Sequence, residues 1–75
     1  MGNLIDVAAY PLGDSVLVEV VQRDETDELV VSTYEFDVDD PEKRVLRPRQ
    51  TLEDAHKPVV QDVLHSDGYS LQSFP

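Results

Sequence analysis

The stretch Ser15–Val38, SVLVEVVQRDETDELVVSTYEFDV, alternates so regularly that few folds can accept it. Val16, Val18 and Val20 fall on one side, and Leu17, Glu19 and Val21 on the other. The pattern resumes with Val30, Tyr34, Phe36 and Val38 against Leu29, Val31, Thr33, Glu35 and Asp37. A period of two in β-branched and aromatic residues predicts strands, and the polar segment Arg23–Glu28 between them predicts a hairpin. A turn centred on Glu25 sets Val20 opposite Val30, Val18 opposite Ser32 and Val16 opposite Tyr34. The even-numbered apolar residues then share one face. A slip of one residue would bring Glu35 and Asp37 onto that face, at a cost of several kcal/mol if they stayed charged and unpaired. The odd face, with Leu17, Val21, Leu29 and Val31, is only half polar. The expectation is that the chain's own termini cover it, the alternative being a partner.

Around the hairpin, Asn3–Tyr10 predicts an opening strand, and Pro11-Leu12-Gly13-Asp14 a turn that returns it antiparallel. These elements make a three-stranded meander. Pro41 should end the second hairpin arm near Asp39. Arg44–Arg49 predicts a short edge strand ending at Pro48. Thr51-Leu52-Glu53-Asp54 has the composition of a helix start, and Leu52, Ala55, Val59, Val60, Val63 and Leu64 follow at helical spacing. The expected helix covers about 52–65, irregular or beginning late because of Pro58, and stopped by Gly68. Tyr69–Phe74 predicts a last strand or an ordered tail. The fold class is α+β: a small antiparallel sheet of three to five strands built on the hairpin, with one helix packed on its even face. The expected core is Val16, Val18, Val20, Tyr34, Phe36, Leu52, Val59 and Val63.

With 75 residues the chain is read as a single small domain, 1–75, whose core alone supplies about 3–5 kcal/mol. It has no Cys to form disulfides or thiolate zinc sites. Dimerisation, as a homodimer, is one route to additional core. No apolar run is long enough to span a bilayer and no basic-then-apolar leader opens the sequence. The expected setting is the cytoplasm, with no membrane partner.

The formal net charge is −10, from 16 acids against 6 bases. Such a balance repels nucleic acid and anionic lipid and favours basic protein surfaces. Asp24, Glu25, Asp27, Glu28, Glu35, Asp37, Asp39, Asp40 and Glu42 fall in one stretch without a base among them, and they form the candidate partner-binding set. Arg44, Arg47 and Arg49 follow, and are expected to pair with these acids rather than to bind an anion. Scarce lysine and abundant valine and aspartate also fit a salt-adapted proteome, in which the charge serves solvation alone.

Signals for chemistry are weak. Asp37-Val38-Asp39-Asp40 opens like a calcium loop, but that pattern needs Gly at its sixth place and Glu at its twelfth, where Glu42 and Pro48 stand. Asp62 and His65 share a helix face, and His near a helix C-terminus is favourable without any metal. His56 lies nine residues from His65, which is wrong for two ligands on one face. No serine sits in a Gly-flanked elbow and no Gly-rich phosphate loop is present. No catalytic residue, cofactor or metal is therefore assigned. The expected function is a small, non-enzymatic, protein-binding module, an inhibitor acting as a nucleic-acid mimic in its sharpest form. Small acidic inhibitors, many from phages, share this composition, though no motif accompanies the likeness. The alternatives are an accessory domain of a salt-adapted proteome and, third, an enzyme or metal-binding protein.

Overall fold

A computed structural model describes residues 3–72. The elements run β1 (Asn3–Leu12), β2 (Ser15–Arg23), β3 (Leu29–Asp40), β4 (Val45–Pro48), α1 (Lys57–Ser66) and β5 (Ser70–Leu71). The five strands form one sheet in sequence order, antiparallel except for the parallel β4–β5 pair. The sheet curls so that α1 approaches both β1 and β5, the strands at its two ends. The chain is thus a small α+β fold with one helix. The last strand is shorter than the expected Tyr69–Phe74, whose final residues lie outside the described ones.

The hairpin forms with its even face buried, but its register differs from the expected one. Val16 faces Phe36, Val18 faces Tyr34 and Val20 faces Ser32, so the turn is centred on Thr26 rather than Glu25. The shift is two residues, which preserves the faces. Its cause is the loop. Asp27 N–H donates to the Asp24 carbonyl at 3.1 Å, and Asp27 itself takes a left-handed φ of 64°. Asp tolerates that conformation better than most residues, so no glycine marks the site. The β1–β2 turn tightens to Gly13-Asp14, with Leu12 paired to Ser15. Gly13 has φ 62°, and a positive φ at the first central position alone is the type II′ requirement. Pro11 thereby falls inside β1, where an edge strand tolerates it.

The helix starts later than expected. It begins at Lys57 with Pro58 in its first turn, where a missing N–H costs nothing, and Thr51 does not cap it. With that start the buried helical residues are Val60 and Leu64, one position on from the expected Val59 and Val63, which are half-buried against the core. The C-terminus closes as expected on Gly68. Tyr69 N–H donates to Leu64 O at 2.9 Å and Gly68 N–H to His65 O at 3.0 Å, the paired bonds of a Schellman end. Arg44 binds the same end through the carbonyls of Asp67 (2.8 Å) and Gly68 (3.3 Å) while lying 4.1 Å over the Tyr69 ring. A cation suits the negative end of the helix.

Val16, Val18, Val20, Tyr34, Phe36, Leu46, Leu52, Val60 and Leu64 make one buried cluster. Leu46 was not expected there, because β4 reads as an edge strand. It is interior because β5 pairs beyond it. This core fills only one end of the sheet. β1, β2 and β3 run on past it, and the molecule measures 43 × 22 × 19 Å. Its radius of gyration is 12.6 Å, against about 11 Å for an evenly packed chain of this length.

Candidate functional site

The candidate acids divide into two groups at opposite ends of β3. Nine residue steps separate Glu28 from Asp37, about 30 Å of extended chain. They do not form a single array.

Glu35, Asp37 and Asp39 lie near the core end. Arg49 Nε donates to Asp37 Oδ1 at 2.7 Å and Arg49 Nη1 lies 3.1 Å from Glu35 Oε2. Arg47 Nη2 lies 3.5 Å from Asp39 Oδ1 and 4.0 Å from Asp37 Oδ2. The Asp37 hydrogen bond, followed by the Asp37 and Glu35 charges, raises the Arg49 pKa further above its ordinary value. Register makes these contacts, since Asp37 and Arg47 are direct cross-strand neighbours. Asp40 is also engaged, its Oδ1 accepting the N–H groups of Glu42 and Lys43, both at 3.1 Å, in the turn that leads to β4. Asp39 takes a further bond from Gln72 Nε2 at 3.0 Å. The expectation that the arginines pair within the molecule holds for Arg47 and Arg49, whereas Arg44 pairs with carbonyls. Among the described residues no three His, Asp or Glu side chains converge as a metal site.

The second group is the hairpin tip. Asp24 builds the loop. Its Oδ1 accepts Thr26 Oγ1–H at 2.7 Å, Thr26 N–H at 2.8 Å and Glu28 N–H at 3.1 Å. The Thr26 hydroxyl, then the backbone N–H groups, hold its carboxyl below the ordinary value. Glu25, Asp27 and Glu28 are exposed around this frame. The tip's only ion pair among the described residues is Arg23 with Asp27, at 3.7 Å.

Behind the tip lies uncovered apolar surface. On the outer face, Leu29 is 58% and Val31 55% exposed. Register joins them to a row of Asp6, Val21 and Val31 and, further along, to Tyr10 beside Leu17 and Leu12 beside Ser15. The expectation that the chain's own termini cover this face fails for the described residues. The helix occupies the even face, the N-terminal segment extends the sheet as β1, and β5 adds to its far side. Leu4, Ile5 and Val30 are exposed at the same end of the sheet, so the end of the arm is apolar beyond the reach of the core.

A third cluster escaped the sequence reading. His56, at 4% exposure, is the one buried polar residue among those described. Tyr34 Oη lies 2.7 Å from His56 Nδ1, with the rings edge to face, and Gln22 Oε1 bonds Nε2. Glu53 N–H reaches the Tyr34 hydroxyl at 3.4 Å, and Glu53 Oε2 lies 3.3 Å from Nδ1. The Gln22 carbonyl oxygen accepts only, so Nε2 is the ring nitrogen assigned a proton from its partner. Both ring nitrogens are held by internal groups, so neither is presented to a substrate. The cluster fastens the segment before α1 to β2 and β3. The sequence does carry a faint signal for it: Gln22 continues the even face of Val16, Val18 and Val20, where a polar group needs a partner.

No helix among the described residues is long and apolar enough to cross a membrane. No protein-family profile, curated protein sequence or solved structure matches this chain.

Proposed function

We propose that this chain is a small, non-enzymatic, protein-binding module of the cytoplasm that engages a basic protein surface through its hairpin arm. The supporting observation is the juxtaposition of Leu29 and Val31, both more than half exposed, with the carboxylates of Glu25, Asp27 and Glu28. Apolar area with a charged rim is the usual composition of a specific interface. The apolar part supplies affinity, and the acids supply speed of encounter and choice of partner. In its sharpest form the module is an inhibitor. Its tip enters a cationic groove that otherwise takes nucleic-acid phosphates, with Glu25, Asp27 and Glu28 in their place. Glu35, Asp37, Asp39, Asp40 and Glu42 form a separate negative group at the other end of β3. The first four already have internal partners, so the tip carries most of the recognition.

A second reading, solvation in concentrated salt, is favoured by the ion-paired state of the β3–β4 acids, which implies that part of the charge has no outside partner. Folding in dilute buffer separates the two. A chain that needs near-molar salt to give a folded circular dichroism spectrum owes its acidity to habitat.

The binding test is affinity capture from the native cell with the chain immobilised, repeated with Glu25→Gln, Asp27→Asn and Glu28→Gln combined. The expected partner is basic, is released by added salt and is displaced by duplex DNA. It is lost with the triple variant, whose folding is unchanged. Capture that survives both the triple variant and DNA competition refutes the proposal.

A further inference from the structure

Strand β1 ends the sheet, and among the described residues no strand pairs with its other edge. Natural edge strands avoid pairing with other chains by being short or by carrying charges, prolines or bulges. β5, at the opposite end, is two residues long. β1 has ten residues, and Asp6 is its one charged side chain, in a protein otherwise dense in charge. Its irregularities sit at its ends: a bulge at Ile5, between the paired Leu4 and Asp6, and Pro11. Asp6–Tyr10 between them is an unbroken edge.

The sequence LIDVAAYPL reads compatibly in both directions about Ala8. Setting β1 antiparallel to β1 of a second copy, with Ala8 opposite Ala8, places Val7 against Ala9 and Asp6 against Tyr10 over the regular part of the strand. The small central residues allow close backbone approach. On the outer face Asp6, Ala8, Tyr10 and Leu12 of each copy form one row along the seam, while the bulge turns Leu4 to the face of Gln22. Ile5 at the bulge falls opposite Pro11, which has no N–H to give, so the irregular places of the two copies coincide. Each copy carries a net charge of −10, a repulsion that added salt screens, and the pairing sets no two acids side by side at the seam. The two Asp6 residues are offset by four positions, about 13 Å, which exceeds the Debye length of about 10 Å at 0.1 M salt. The acidic tips point in opposite directions, more than about 30 Å apart along the strands.

The geometry points to a two-fold homodimer in which β1 pairs with β1 of a second copy about Ala8, giving one sheet continuous through both. Each copy uses the whole edge of β1. The other open edges among the described residues are the two-residue β5 and the part of β3 beyond β4, where Gln50 and Arg49 already bond Thr33 and Glu35. A two-fold pairing of this kind closes at two. The hairpin tips stay accessible, and this interface is independent of the basic partner proposed above.

The test uses the absence of native Cys. Antiparallel partners have Cα atoms about 4.5–5.5 Å apart, within disulfide range, so Ala8→Cys is expected to form a covalent dimer under mild oxidation. Val31→Cys, on the central strand β3, is the control and is expected to remain a thiol. In sedimentation equilibrium the untagged chain should move from 8.5 kDa toward twice that mass with concentration, more readily as added salt screens the repulsion between two chains of net −10. Ala8→Lys, which sets two cations on the axis, should weaken the dimer at least tenfold. A wild-type chain that stays monomeric throughout, or a Val31→Cys chain that cross-links as fast as Ala8→Cys, overturns the inference. If Ala8→Cys does not fold, as circular dichroism would show, the sedimentation of wild type against Ala8→Lys decides alone. A monomer that binds an extended partner at this edge counts against the homodimer.

Discussion

At the core end of β3, Phe36 is fully buried, and Glu35 and Asp37 flank it on the outer face within reach of Arg47 and Arg49. At the tip end, Leu29 and Val31 of the same strand are mostly exposed, and Glu28 stands in an exposed loop. One strand thus passes from a packed, charge-balanced environment to an uncovered, unbalanced one. Backbone pairing does not account for the difference, since β2 accompanies β3 as far as Leu29. On the even face, where Phe36 is buried and Val30 is 40% exposed, what changes is the second layer; Leu29 and Val31 stand on the outer face, which no element among the described residues covers. α1 and the segment before it cover the even face only as far as Gln22 and Tyr34, where His56 closes the core. A chain this small has one helix to place. The length of sheet it leaves bare is the part available to a partner.

The largest expected effect tests where stability resides. Phe36→Ala removes a fully buried ring and should cost about 3–5 kcal/mol, comparable to all that a core of this size provides. The variant should be unfolded at room temperature by near-ultraviolet circular dichroism. Leu29→Ala, seven residues away on the same strand, should stay within about 0.5 kcal/mol of wild type in urea titration. If the two variants cost similar amounts, the tip end is packed in solution and the comparison fails.

A smaller effect sharpens the account of the tip. Asp24 holds the loop with three hydrogen bonds, and its pKa lies below the ordinary 3.8. A depressed native pKa means that the ionised carboxylate favours the folded state. That contribution is complete well above 3.8 and is lost as pH falls through the lower native value. Asp24→Ala should therefore lower the melting temperature at pH 7 and narrow its gap to wild type as the pH drops toward 2. A gap that stays constant with pH would mean that the loop is held by its backbone bonds and the left-handed Asp27 rather than by this carboxylate.

These regions also differ in how readily a sequence discloses them. The faces of the hairpin follow from parity, because alternation in Val16–Val20 and Tyr34–Val38 leaves one dry side whatever the turn. The register does not follow, because it depends on a left-handed aspartate that leaves no glycine as a marker. Leu52 and Ala55 continue the helical spacing of Val59 backward through a segment that is not helical. Pro58 sets the true start, and the buried stripe moves to Val60 and Leu64. Leu46 is buried by β5, which arrives later in the chain, and His56 by Gln22 and Tyr34 of strands far earlier, so local pattern has access to neither. The acids of the candidate site look alike as letters. Only the fold, by laying β4 and Arg49 beside β3, sets Glu35, Asp37 and Asp39 against Arg47 and Arg49.

That distinction gives the smallest effect, and the one most specific to the comparison: the same chemical change should act with opposite sign at the two ends of β3. Asp37→Asn takes the carboxylate from Arg49 and Arg47 and should lower the melting temperature at low salt. Glu25→Gln with Glu28→Gln removes two exposed like charges from a chain of net −10 and should raise it slightly, through reduced self-repulsion. Both shifts should shrink as added salt shortens the screening length, and exposed pairs of this kind contribute little in any case, so the measurement needs dilute buffer. Two shifts of the same sign would show that the arginines do not hold the β3–β4 acids in solution. Those acids would then return to the surface offered to a partner, and recognition could no longer be confined to the tip.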